Sequence, residues 1–327
     1  MILTGDIGGT KTNLALFEVK ENGLHIALQH QFASREYGSL NEVITAFKEY
    51  LPMAEIDAAC FGIAGPVIEG RCQTTNLPWD ITTSDLQAHL GIERVHLLND
   101  LEATAYGMLY LPEDTFVDLN PDAKTMAGNR AVIAAGTGLG EAMLYFDGTT
   151  YHPIGSEGGH CDLAPLTPQQ DALLLWLRKR YPEHVSFERV LSGPGIYTLY
   201  EFLVQSGFAP ESELMLNIPE GKDRSAMVSE CALKAHDPLC METLRLFAQI
   251  YGAEAGNLAL KSMSLGGVYI GGGIAPKILP VLTDGHFMKG FLSKGRFNKM
   301  LQNMTVKVSL NPETALVGAA YFAKERL

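Results

Sequence analysis

At 327 residues, 46% hydrophobic and 19% charged, the chain is long enough for two cores and too apolar and varied for disorder. Its 25 Lys plus Arg against 37 Asp plus Glu leave a net charge of -12 and no basic run, which argues against a nucleic-acid partner. Five cysteines without a Cys-x-x-Cys pair do not form a disulfide framework, and with no leader and no apolar run of spanning length to be seen, the expected location is cytoplasmic.

Residues 2 to 19 read as strand, glycine turn, strand, with Gly8 and Gly9 expected to turn through positive φ. Asp6 before the turn and Thr10 after it are the residue types of a phosphate and metal site. Glycine N–H groups close on an oxyanion, the hydroxyl adds a donor, and the carboxylate holds Mg²⁺ directly or through water. An ordinary hairpin turn is the alternative. A third strand (Leu24 to Phe32) precedes an amphipathic helix from about Ser39 to Leu51, with Leu40, Val43, Ile44, Phe47 and Leu51 on one stripe, Ser39 as N-cap and Pro52 as stop.

Ala58 to Val67 is a buried strand entering a turn of small residues. In the loop Asn76-Leu77-Pro78-Trp79-Asp80, Trp79 either lines a sugar pocket or anchors packing. A short helix (Ser84 to Leu90), a strand (Val95 to Leu98) and a helix from Leu101 to about Tyr110 complete one α/β unit. Asn99 and Asp100 fall between the last two, at a strand's carboxyl end, where open α/β sheets bind ligands. Both are equally good helix caps.

The second half opens on the same outline. Ala131 to Phe146 is strand, turn and strand around Gly136-Thr137-Gly138, roughly 130 residues after the first hairpin, as in a duplicated architecture with one phosphate-gripping turn per domain. Neither turn has the Gly-Lys-Ser/Thr of a P-loop, and the dinucleotide-binding spacing is absent. In Gly155-Ser156-Glu157-Gly158-Gly159-His160 the glycines predict an irregular loop, either a structural turn or a carboxylate and imidazole presented to the hydroxyls of a polyol.

Residues 168 to 191 are helical in pattern until Leu191-Ser192-Gly193-Pro194-Gly195 breaks them, with Glu188 just before the break, where a surface charge is the ordinary reading. Helical periodicity over 196 to 206, 226 to 236 and 239 to 263 makes this half helix-rich, with Gly252 and Gly256 as helix-contact points. Gly266 to Ile274 is a strand ending in Gly271-Gly272-Gly273, bare backbone against which an adenosine fits, and a helix is expected after Pro276. A strand (Val306 to Leu310) and a terminal helix (Thr314 to Lys324), expected to pack back on the first domain, close the chain.

The ordered set of Asp-x-Gly-Gly-Thr hairpin, Asn-Asp strand end, Gly-Thr-Gly hairpin, Glu-Gly-Gly-His and strand-Gly-Gly-Gly closely resembles the bacterial ATP-dependent glucokinases of the actin, sugar kinase and Hsp70-like ATPase superfamily. The resemblance runs from Gly5 to about Gly318 and includes Gly65-Pro66-Val67, Thr75-Asn76, the stretch Val185 to Gly195 and Gly295-Arg296-Phe297. It implies the two-domain, ribonuclease H-like fold, with a cleft between a small α/β domain (1–110 plus 313–327) and a larger, helix-rich α/β domain (111–312).

It also implies phosphorylation of glucose at the 6-hydroxyl, with ATP and Mg²⁺ as cofactors, by a homodimer. By this resemblance Asn99, Asp100, Glu157, His160 and Glu188 hold the sugar, with Asp100 as the base. Asp6, Gly8, Gly9, Thr10, Gly136, Thr137 and Gly138 surround the phosphates and metal, and Gly271, Gly272 and Gly273 neighbour the adenosine. A kinase for mannose, fructose or an N-acetylhexosamine is the nearest alternative. A non-catalytic sugar sensor is another, for which the expected start at the hairpin leaves no DNA-binding module. Lys11 is shared with the related repressor and open-reading-frame sugar kinases, but only Cys161 stands where those add a zinc-binding cysteine cluster, so no structural zinc is expected. Glu102 stands where several glucokinases carry an uncharged residue.

Overall fold

The computed structural model describes residues 1–21, 23–50, 55–74 and 76–327. They form two units, Met1–Glu113 with Pro153–Gly155 and Asn311–Leu327, and Asp114–His152 with Ser156–Leu310.

The first unit starts with three antiparallel strands, β1 (Ile2–Ile7), β2 (Lys11–Lys20) and β3 (Gly23–Ala33). Helix α1 (Leu40–Lys48), strand β4 (Ala58–Ile63), the short strands β5 (Arg71–Gln73) and β6 (Asp80–Thr82), helix α2 (Thr83–Leu90), strand β7 (Val95–Asn99) and helix α3 (Asp100–Gly107) follow. The sheet runs β3-β2-β1-β4-β7. β1, β4 and β7 are parallel and in step, Ile7 opposite Ile63 and Ile63 opposite Asn99, so their carboxyl ends finish at one edge. Ser39 caps α1, and Leu40, Val43, Ile44 and Phe47 bury the expected stripe. Leu51, Pro52 and Thr75 lie outside the described residues.

The β5–β6 hairpin has no counterpart in the sequence reading, because three-residue strands are too short to show periodicity. It settles the alternatives for Trp79 in favour of packing: the ring is 3% exposed and its Nε1 donates to the Tyr37 carbonyl at 3.1 Å.

The second unit contains β8 (Phe116–Asp118), β9 (Arg130–Ala135), β10 (Leu139–Phe146) and β11 (Tyr151–Ser156), whose Pro153–Gly155 is grouped with the first unit. Helices α4 (Pro168–Arg180), α5 (Gly193–Gln205), α6 (Glu213–Leu216), α7 (Arg224–Ala235) and α8 (Pro238–Ser262) come next. Strand β12 (Val268–Gly271), short helices α9 (Leu279–Leu282), α10 (His286–Phe291) and α11 (Asn298–Leu301), and strand β13 (Val306–Ser309) complete it. Its sheet runs β11-β10-β9-β12-β13-β8. α8 is buried along most of its length, with Tyr251 and Phe247 fully enclosed.

The helix expected over 168 to 191 ends at Arg180. Pro182 cannot continue it, and Val185 and Phe187 leave for backbone bonds with Leu163 and Cys161 (2.9 and 3.0 Å), so Glu188 stands on a single 3₁₀ turn, Phe187–Arg189. After Gly273 the chain makes a 3₁₀ turn, Ala275–Ile278, before the first short helix.

The last helix, α12 (Thr314–Lys324), packs on the first unit as expected, its Leu316, Ala319, Ala320 and Ala323 joining Ile2, Phe17, Cys60 and Ala103 in one core. Gly318 lets the α12 and α3 backbones touch: a Cβ there would fall on the Ala103 carbonyl and 2.5 Å from the Gly107 nitrogen. Among the described residues no helix is long and apolar enough to cross a membrane.

Helix propensity favours alanine over glycine by about 1 kcal/mol, but a backbone clash cannot be relieved by a rotamer and overpacking costs about 1–3 kcal/mol. Gly318→Ala is therefore expected to lower the thermal midpoint, read by calorimetry; an unchanged or raised midpoint would show that the two helices separate freely.

Candidate functional site

At the carboxyl edge of the first sheet, Asp6 is the penultimate residue of β1, and burial pushes its carboxyl above the usual carboxylate range. Its hydrogen bond from Asn13 Nδ2 is long, 3.5 Å, and offsets burial only in part. A half-buried carboxylate with no ion-pair partner among the described residues fits a hard divalent ion such as Mg²⁺.

The turn after it is built differently from the expectation. Neither Gly8 nor Gly9 has a positive φ. What requires glycine at 9 is close approach, since a Cβ there would sit 2.5 Å from Asn76 Cβ. The turn closes with Gly8 N–H on the Lys11 carbonyl at 3.0 Å, and Thr10 is exposed beside it. Ser34, fully buried and absent from the sequence reading, holds the turn. Its hydroxyl donates to the Gly8 carbonyl at 2.8 Å and lies 3.0 Å from Thr12 Oγ1, while its N–H bonds Thr10 O at 3.1 Å.

At the same edge Asn99 is the N-cap of α3 and Asp100 its first residue. Asn99 Oδ1 accepts from Leu101 N–H at 2.9 Å, and its Nδ2 donates to the Gly65 carbonyl at 3.0 Å. The capping reading thus holds for Asn99, and the cap delivers the half-buried Asp100 to the helix N-terminus, where the aligned peptide dipoles favour negative charge. Glu102, unexplained by the sequence, completes a capping box by accepting from Asn99 N–H at 3.0 Å. Its other oxygen takes Gly155 N–H at 3.2 Å.

In the second unit, Gly136-Thr137-Gly138 joins β9 to β10 with Gly136 N–H on the Gly138 carbonyl at 2.8 Å and Thr137 exposed. Glu188 is not a free surface charge. Its Oε2 accepts from Leu139 N–H at 2.9 Å and lies against Gly138, where a Cβ would come within 2.5 Å. Gly193 N–H bonds the Gly136 carbonyl at 2.7 Å, and Ser192 Oγ donates to Glu188 O at 2.8 Å while capping α5.

His160 Nε2 stands 4.0 Å from Glu188 Oε1. His160 and Glu157 are exposed ends of one 3₁₀ turn, with His160 N–H on the Glu157 carbonyl at 3.0 Å. Gly271, Gly272 and Gly273 join this group. Gly271 pairs with Ala134, and Gly272, with φ of 81°, presses on the carbonyl of Ala135, the residue before Gly136. The candidate residues therefore gather in two places. Asp6, Gly8, Gly9, Thr10, Asn99 and Asp100 share one sheet edge in the first unit. Gly136, Thr137, Gly138, Glu157, His160, Glu188 and the three glycines cluster in the second.

The family model described as Glucokinase matches residues 3–326. The glucokinase of Nostoc punctiforme is 40% identical over 341 aligned positions, covering 99% of this chain and 98% of its own. A glucokinase crystal structure from an Antarctic psychrotroph has a TM-score of 0.85 at 32% identity, covering 99% of this chain and 98% of that one. A ROK family glucokinase from Streptomyces griseus, solved in complex with glucose and AMPPNP, shares the fold with a TM-score of 0.69 at 20% identity over 99% of both chains.

Ser34→Ala strips the half-buried Gly8 carbonyl and the buried Thr12 hydroxyl of their partner, a loss of about 1–3 kcal/mol. Urea unfolding should show the midpoint lowered at unchanged slope; an unmoved midpoint would mean that the turn holds without Ser34.

Proposed function

Because the chain belongs to the glucokinase family and so phosphorylates glucose with ATP, we propose that Asp100 is the general base for the 6-hydroxyl. The observation that carries this role is the cap at Asn99, which puts the Asp100 carboxylate at a strand's carboxyl end and on a helix N-terminus at once. The sugar hydroxyls are held by Asn99, Asp100, Glu157, His160 and Glu188.

Phosphoryl transfer passes through a loose transition state, so the protein's part is to position reactants and to stabilise charge. With the Gly8 and Gly136 N–H groups closing the two turns, the backbone N–H groups that follow them and the exposed Thr10 and Thr137 hydroxyls serve the phosphates, and Gly271 to Gly273 leave bare backbone for the adenosine. Asp6 would hold Mg²⁺, directly or through water, and the ion would supply charge that neutralises the phosphates. Asp100 orients the hydroxyl and accepts its proton as the oxygen–phosphorus bond forms. A cytoplasmic homodimer is the form proposed, in keeping with five free cysteines.

Asp100→Asn keeps the shape and loses the base. We expect kcat to fall on the order of 10²–10⁴-fold with glucose binding largely retained, read by coupled ADP release across glucose, mannose, fructose, N-acetylglucosamine and no sugar. An unchanged kcat would remove Asp100 from the mechanism, and faster turnover of another sugar would move the specificity. For Glu188, glutamine keeps an acceptor for Leu139 N–H and alanine does not. Glu188→Ala should therefore raise the glucose KM well beyond Glu188→Gln; equal effects would leave the Leu139 bond without a role.

A further inference from the structure

We propose that Glu141 is a positioning residue for the glucose-binding turn Glu157–His160, acting as one half of a carboxyl pair with Glu254 behind Gly158. The inference rests on the reading that Glu157 and His160 hold glucose.

Glu141 on β10 and Glu254 on α8, 1% and 0% exposed, lie close enough inside the second unit for the charge of Glu254 to act on the Glu141 carboxyl. The donors converge on Glu254. Lys261 Nζ is 3.5 Å from its Oε1, Asn257 Nδ2 donates to its Oε2 at 2.8 Å, and Lys294 Nζ bonds Asn257 Oδ1 at 2.6 Å. The nearby Tyr251 hydroxyl donates to the Ile133 carbonyl and accepts from Ala135 N–H. Glu141 Oε1 has no hydrogen-bond partner among the described residues.

Two adjacent buried carboxylates do not both ionise. A proton held between them gives Glu141 its missing partner and leaves one negative charge facing Lys261 and Lys294. Burial first, and then the neighbouring Glu254, push the Glu141 carboxyl up to about 8, while burial lowers Lys294.

The pair bears directly on the turn. A Cβ on Gly158 would fall on the Glu141 carboxyl group, and one on Gly159 on the Leu139 carbonyl. Ser156 Oγ donates to the Glu141 carbonyl at 3.0 Å and accepts from Gly158 N–H at 3.3 Å. Side chain and main chain of Glu141 are thus the floor under a turn whose ends are Glu157 and His160. A carboxyl raised in the folded state stabilises fully below its ordinary value, and that contribution is lost as pH rises through about 8. Ionisation then sets two like charges against each other beneath Gly158.

The test is glucose KM and kcat from about pH 7 to about pH 9, for the unsubstituted protein, Glu141→Gln, Glu254→Gln and, as a reference for the turn, His160→Asn. The unsubstituted protein should lose apparent glucose affinity roughly tenfold across that range, with kcat and the ATP KM changing much less. Glu141→Gln donates to Glu254 without titrating, so its glucose KM should stay level. Glu254→Gln should shift the alkaline limb by about one pH unit or more. If the limb is the same in all three, the proposal is overturned while a raised KM in His160→Asn keeps the site reading. If His160→Asn leaves KM unchanged, the site reading fails and the proposal with it.

Discussion

The Glu188 carboxylate accepts the N–H of Leu139 at 2.9 Å, and much of the second unit's candidate site depends on that contact. The donor is the first residue of β10, just past the turn assigned to phosphate, and the acceptor is assigned to the sugar. A hydrogen bond to a charged group contributes about 1.5–3 kcal/mol, enough to order a one-turn 3₁₀ segment that has little structure of its own. It forms only because Gly138 has no side chain in the way. The bond from Gly193 to Gly136 and the cap at Ser192 then tie α5 to the same hairpin. The carboxylate proposed for the sugar and the turn proposed for phosphate are thereby fixed to one rigid element, which is the pre-organisation a positioning enzyme needs.

The first unit reaches a comparable rigidity through main-chain capping. Asn99 satisfies an orphan N–H of α3 and the Gly65 carbonyl together, and Glu102 closes the box from the other side. Capping and chemistry are complementary at this helix, because the residue that stops the strand is the one that sets the next residue's side chain. Glu102 also explains itself locally: one oxygen serves Asn99 and the other Gly155, and both are backbone donors that an uncharged side chain of the same length serves less well.

The sheets, the capped helix α1 and the glycine turns were legible from the sequence because periodicity and turn chemistry are local. The same local signals marked Asp6 and Asn99 near strand ends and the glycines in their turns, whereas Glu188, on a 3₁₀ turn beyond the end of α4, had only the ordinary reading of a surface charge. What escaped was nonlocal or too short. Ser34 has no periodic signature, and its partners lie 22 and 26 residues away. The β5–β6 hairpin is two three-residue strands. The end of α4 depended on where 185–187 found backbone partners, at 161–163. Gly8 and Gly9 were expected to turn through positive φ, but neither does, and at Gly9 it is crowding by Asn76 that excludes a side chain.

Buried charge is distributed unevenly, and that pattern follows from what each place must do. Asp6 is raised by burial with only a weak partner, in keeping with the cation proposed for it. Glu141 and Glu254 are raised as well, yet they sit among lysines and an asparagine on the far side of a glycine turn. A buried ionic cluster of this kind adds little net stability, because desolvation cancels most of its attraction, and apolar residues of equal volume often do as well. Its physical distinction is directional: a carboxyl pair holding one proton supports the turn above it in one arrangement, whereas an apolar floor leaves two glycines free to settle in several. That restriction matters most where neighbouring side chains must meet particular hydroxyls, since a site built on hydrogen bonds discriminates only as sharply as its donors and acceptors are held.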